Sequence, residues 1–135
     1  MKERTFKAAI ANVPEITRLI NEWLKSLGCP MKALIQIDVA VDELFSNIAK
    51  YAYPPNTGDA TIRLDFDPET RMATITFIDS GVAYNPLEWP DPDVTLTAQQ
   101  RGIGGLGIFL VKKSMDGMEY AREGGFNHLT IRKRI

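Results

Sequence analysis

The sequence predicts an α+β fold, a two-layer α/β sandwich with helices on one face of a mostly antiparallel sheet. Three observations predict it. Stretches 12–28 and 31–53 repeat apolar residues at helical spacing, 60–79 and 118–133 pair alternating segments across turns, and a glycine cluster at 102–107 opens a third helical segment. Helices and hairpins that come in blocks, rather than alternating one for one, give segregated layers and not a parallel sheet.

Taken in order, Thr5–Ile10 is short and reads as an edge strand. Asn12-Val-Pro-Glu15 reads as a helix start, with Asn at the cap, Pro in the first turn and Glu three residues on. Ile16, Leu19, Ile20, Trp23, Leu24 and Leu27 then follow at helical spacing, and Gly28 ends the helix. The second helix runs from about Met31 to Tyr53, with Leu34, Ile37, Val41, Leu44, Phe45, Ile48 and Ala52 in one broad core sector. Pro54-Pro-Asn-Thr-Gly-Asp59 is a strong breaker. Ala60–Asp67 and Met72–Asp79 alternate around the turn Pro68-Glu-Thr-Arg71, a hairpin. Val82–Arg101 has no periodicity and carries Pro86, Pro90 and Pro92, and a connection of that length reads as a functional lid or a disordered stretch. After the glycine-rich helix, Met118–Glu123 and Asn127–Lys133 flank Gly124-Gly125 as a terminal hairpin, with Leu129 and Ile131 on its apolar face.

Composition bounds the function. At 135 residues the chain makes one domain, 1–135, and sixteen basic against seventeen acidic side chains leave a net charge of −1. Nothing in that balance suggests direct nucleic-acid binding or a polybasic membrane anchor. The start, Met-Lys-Glu-Arg-Thr-Phe-Lys, lacks a signal-peptide core and no apolar run reaches membrane-spanning length. The single cysteine, Cys29, cannot form an internal disulfide, so a reducing cytoplasm is the default setting. His128 has no Cys or His near it at ligand spacing, which sets a zinc site aside.

Three stretches carry chemistry. On the second helix, which advances about 100° per residue, Gln36, Ala40, Glu43, Asn47 and Lys50 form a stripe roughly 60–80° wide between core and water. A carboxylate, an amide and an ammonium within one reach suit a hydroxyl, a hydrated metal and a phosphate. On the returning strand, Asp79 shares parity with Ala73, Ile75 and Phe77, so its carboxylate points toward the helical layer and needs a partner. Gly81, two residues on, removes a side chain where a flat ring would lie; the same Asp-Ser-Gly also reads as an ordinary turn. Finally, Gly102, Gly104, Gly105 and Gly107 precede Ile108, Val111 and Met115 at helical spacing. Free N–H groups opening a helix, with the positive end of the dipole behind them, suit phosphate.

In that order, Glu43-x-x-x-Asn47, Asp79-x-Gly81 and Gly104-Gly-x-Gly107 resemble the N, G1 and G2 boxes of the GHKL ATPases, whose architecture is the Bergerat ATP-binding fold. The runs Val41-Asp-Glu-Leu-Phe-Ser-Asn47 and Gly104 to Asp116 resemble the anti-sigma-factor serine/threonine kinases within that superfamily. The resemblance implies ATP and Mg²⁺ as cofactors. It implies Asp79 as acceptor for the adenine amino group and Gly81 as room for the ring. Asn47 becomes the metal ligand, Gly104, Gly105, Leu106 and Gly107 the N–H donors to phosphates, and Glu43 the base. Thr130 resembles a threonine near the adenine, and Tyr51 stands where many relatives have a histidine. The implied reaction is phosphorylation of a serine on a small anti-sigma-factor antagonist, with a sigma factor as a second partner. Family members often form homodimers. A nucleotide-gated binding module without kinase activity is the alternative, and a detached histidine-kinase catalytic domain a third.

Overall fold

The structure is a computed structural model that describes residues 1–88 and 106–135. Five strands, β1 (Lys2–Lys7), β2 (Asp59–Asp67), β3 (Met72–Asp79), β4 (Gly117–Glu123) and β5 (Phe126–Arg134), form one sheet in the order β1-β2-β3-β5-β4. Every neighbouring pair is antiparallel. Helices α1 (Val13–Ser26), α2 (Met31–Tyr51) and α3 (Leu106–Ser114) make the second layer. This is the expected sandwich. No helix among the described residues is long and apolar enough to cross a membrane.

The edge strand begins earlier than the sequence suggests. It covers Lys2–Lys7, and Ile10–Asn12 is a short 3₁₀ turn. Asn12 does not cap α1; its side chain donates to the Lys7 carbonyl at 2.8 Å, tying the strand's end to the turn. The other end behaves as glycine dictates. Gly28 takes φ +74°, and the Gly28 and Cys29 N–H groups close on the carbonyls of Lys25 and Leu24, a Schellman closure. Gly124 and Gly125 likewise both have positive φ, as a two-residue hairpin loop requires.

Alternation on the strands separates the two faces cleanly. Ala73, Ile75, Phe77 and Asp79 of β3 are buried toward the helices, as are Ala60, Ile62 and Leu64 of β2. The opposite face is polar and satisfies itself in cross-strand pairs. Thr5 meets Thr61 at 2.8 Å, Thr76 meets Thr130 at 3.2 Å, and Arg63 pairs with Glu3 at 3.0 Å. α2 is the middle helix, packed against both α1 and α3. That position buries more of its circumference than one apolar stripe accounts for. Ala40, expected on the polar stripe, is fully buried. The stripe is therefore partly a seam between helices, and Glu43 on it meets the start of α3.

Candidate functional site

Glu43 and Asn47 stand one turn apart on α2, each half-buried. The Asn47 amide nitrogen donates to Glu43 Oε1 across 3.3 Å. The Glu43 carboxylate rests on the first turn of α3. A Cβ on Gly107 would lie 2.2 Å from Glu43 Cδ and 2.3 and 2.4 Å from its two oxygens. A side chain at 107 would therefore push the Glu43 carboxylate out of its seat. The contact also sets a negative group at the positive end of α3, where charge and dipole attract. Two motifs more than fifty residues apart in sequence meet here.

Asp79 is 5% exposed at the end of β3. Its Oδ1 accepts from the Gly81 N–H and from the Asn127 Nδ2, each at 2.9 Å. Asp79, Asn47, Leu44 and Ile48 line one cleft together with Tyr84 and Asn127. The inward carboxylate and the amide of the α2 stripe therefore face a common space. That space, lined also by Pro86, Tyr120 and Leu129, is about 20 Å³, room for roughly one water. The Tyr84 ring stacks on Tyr51 at 6.2 Å. Burial, with the neighbouring charges of Tyr51 and Glu43, pushes the Tyr84 hydroxyl up to about 12, so it stays neutral at physiological pH.

Other expected site residues fall differently. Gly81 has a tertiary reason to be small. A Cβ there would lie 2.4 Å from the Ala52 carbonyl oxygen, and the Val82 N–H bonds that same carbonyl at 3.0 Å. The end of α2 occupies the room. Thr130 is corrected outright. It pairs with Thr76 in register, one residue off the parity of Leu129 and Ile131, which puts it on the polar outer face and away from Asp79. Lys50 is exposed at the end of α2. Gly107 is in the site and Leu106 begins α3, whereas Gly102, Gly104, Gly105 and most of the expected lid lie outside the described residues.

Sequence reasoning missed Asn127. It is 4% exposed and pairs in register with Asp79 across β3 and β5. The signal was available: stepping back from Ile131 and Leu129 by two reaches Asn127, a polar residue at core parity, as Asp79 is on β3. It also missed Tyr53, whose hydroxyl donates to the Asp59 carbonyl at 2.5 Å and accepts from the Ser80 N–H at 2.8 Å. That ring lies over Gly58 and braces the α2–β2 connection against the end of β3.

Among the described residues no three His, Cys, Asp or Glu side chains converge to hold a metal ion. The donor set instead fits a Mg²⁺ that arrives with phosphates. Such an ion keeps most of its waters and takes one or two protein oxygens. Asn47, with its nitrogen spent on Glu43, has its amide oxygen to give.

The model of the histidine kinase-like ATPase domain family matches residues 6–133. The serine/threonine-protein kinase BtrW of Bordetella bronchiseptica is 30% identical over 95 residues, covering 70% of this chain and 66% of that protein. The chain thus spans just under two thirds of that relative's length. Among solved structures, the RsbU and RsbW domains of a Mycobacterium tuberculosis protein align with a TM-score of 0.63 at 14% identity, covering 99% of this chain and 32% of that one. The histidine kinase domain of the Erythrobacter litoralis blue-light activated histidine kinase aligns with a TM-score of 0.61 at 17% identity, over 93% and 60% of the two chains. At these identities the structures speak for the fold. With the family model spanning nearly the whole chain, and the α2 stripe, Asp79 and Gly107 gathered along one side of the sheet, the chain belongs to the histidine kinase-like ATPase domain family.

Proposed function

We propose that this domain is an ATP-dependent protein serine/threonine kinase of the anti-sigma-factor type. It would phosphorylate a serine on a small antagonist protein and hold a sigma factor as its second partner, acting as a cytoplasmic homodimer. The observation that carries the reading is the Glu43 carboxylate seated on Gly107, one turn from Asn47. That position supports Glu43 as the base, beside the helix terminus that suits the terminal phosphate. The similarity to a serine/threonine-protein kinase supports the same reaction class.

In this reading Asp79 accepts a hydrogen from the adenine amino group and Asn47 offers its oxygen to the metal. The N–H groups of Gly104, Gly105, Leu106 and Gly107 hold phosphate oxygens. Mg²⁺ supplies charge neutralisation to the phosphates when bound. Glu43 takes the proton of the serine hydroxyl as that oxygen bonds to the γ-phosphorus. The bond from γ-phosphorus to the bridging oxygen breaks, and ADP leaves with the electron pair. Positioning supplies most of the rate. For adenine to enter, the cleft of about 20 Å³ has to widen.

Incubation with radiolabelled ATP, Mg²⁺ and a candidate antagonist tests the reading, with label expected on serine of the antagonist. A domain that binds both ATP and the antagonist yet transfers no label is a nucleotide-gated binding module instead. Gly107→Ala probes the carrying observation. The new methyl displaces only the end of a flexible side chain, so the melting temperature is expected to move by a few degrees at most. Displacing Glu43 should nonetheless cut transfer by about 10²-fold, the lower end of what a positioned base contributes. An alanine variant with wild-type transfer would separate the base from this contact.

A further inference from the structure

We propose that Asn127, braced by Arg122, is a positioning residue that fixes the Asp79 carboxylate as an acceptor and thereby sets the preference for a 6-amino over a 6-keto purine. The inference deepens the nucleotide reading above and rests on it.

The Asn127 amide is fully used. Its nitrogen donates one hydrogen to Asp79 Oδ1 at 2.9 Å and the other to the Val82 carbonyl at 2.8 Å. Its oxygen accepts from Arg122 Nη1 at 3.0 Å and from the Tyr120 hydroxyl. Flipping the amide would set NH₂ against the Arg122 donor and oxygen against two acceptors, so the network itself determines the orientation. Asp79 Oδ1 then receives two N–H donors, from Asn127 and from Gly81. With Oδ1 so engaged, the carboxylate presents Oδ2 as its remaining acceptor.

A 6-amino group donates to such a carboxylate. A 6-keto group brings acceptor against acceptor and leaves a buried group unmatched. Arg122 completes the arrangement. Its Nη1 also donates to the Gly81 carbonyl at 2.9 Å, so the Asp79–Gly81 turn is held through its N–H by Asp79 and through its C=O by Arg122. The Asn127 amide and the acceptor edge of Asp79 are therefore set by one cation reaching over from β4.

The test compares Mg-ATP with Mg-inosine triphosphate, which carries a keto group at the purine 6-position. Both are titrated by calorimetry against wild type, Asn127→Ala, Asn127→Asp and Arg122→Ala, with a thermal melt of each. The ratio of the two affinities separates positioning from mere support, because a loss of packing weakens both nucleotides alike. The expected result is that the preference for ATP falls about tenfold or more in Asn127→Ala and Asn127→Asp, and by less in Arg122→Ala. A preference unchanged in a folded Asn127→Ala overturns the inference. Should that variant fail to melt cooperatively, the exposed Arg122 position decides, and an unchanged preference in Arg122→Ala overturns it equally. Wild type that binds both nucleotides alike overturns the inference while keeping the nucleotide site; wild type that binds neither overturns the nucleotide reading itself.

Discussion

Glu43→Gln is expected to lower phosphoryl transfer roughly 10²–10⁴-fold while Mg-ATP and the protein partner still bind. The amide is nearly isosteric with the carboxylate, so it still fits against Gly107 and still accepts from Asn47. What it cannot do is take a proton. The neighbouring variant Asn47→Ala should behave differently, because in the proposed reading Asn47 serves the metal and not the proton. Its ATP affinity should fall with Mg²⁺ present and change little without it. Calorimetry with and without Mg²⁺, followed by single-turnover phosphorylation of the antagonist, distinguishes the two. Wild-type transfer in Glu43→Gln would remove Glu43 from the role of base, and unchanged Mg²⁺-dependent affinity in Asn47→Ala would remove Asn47 from the metal.

Asp79→Asn should lower ATP affinity by about 10²–10³-fold, the scale on which a buried site rejects a mismatched hydrogen-bonding group. The fold should survive it. The new amide keeps its oxygen toward the Gly81 N–H and the Asn127 nitrogen, which bond Asp79 now. That orientation turns its NH₂ toward the cleft, donor against the adenine amino donor, and the charge that strengthened the contact is gone. Calorimetry and a thermal melt read the two halves of the expectation. Wild-type ATP affinity in a folded Asp79→Asn would place adenine recognition somewhere else.

The fold was legible wherever a period was clean. β3 alternates through its whole length, so the inward turn of Asp79 could be read from Ala73, Ile75 and Phe77 alone. Helix α2 was harder, because a helix packed on two sides by other helices buries residues outside its main apolar sector, and Ala40 looked polar only by its neighbours on the wheel. The meeting of Glu43, Asn47 and Gly107 was implied by the family resemblance, but its physical cause, a carboxylate occupying the space of a missing Cβ, is a tertiary fact. Thr130 went astray by a single residue. In a strand that step exchanges one face for the other, and the register with Thr76 sets which face it takes. At Gly81 no local pattern reveals that Ala52 returns to fill the space beside it. Asn127 escaped because the apolar face of the last hairpin was read from its hydrophobic residues only.

The strand order has a consequence for how the protein is made. β5 is the last strand in chain order, yet it lies inside the sheet between β3 and β4. Until it is synthesised, one whole edge of β3 has no partner, and the segment from Ala73 to Ile78 holds no charge and no proline. Such a bare, β-prone edge is a template for joining other chains. At roughly 5–20 residues per second, the ribosome leaves it open for several seconds before Arg134 emerges. The nascent domain also lacks Asn127, the side-chain partner of Asp79, which is itself on the missing strand. The hazard of aggregation and the acquisition of the site therefore end together, when β5 slides into place.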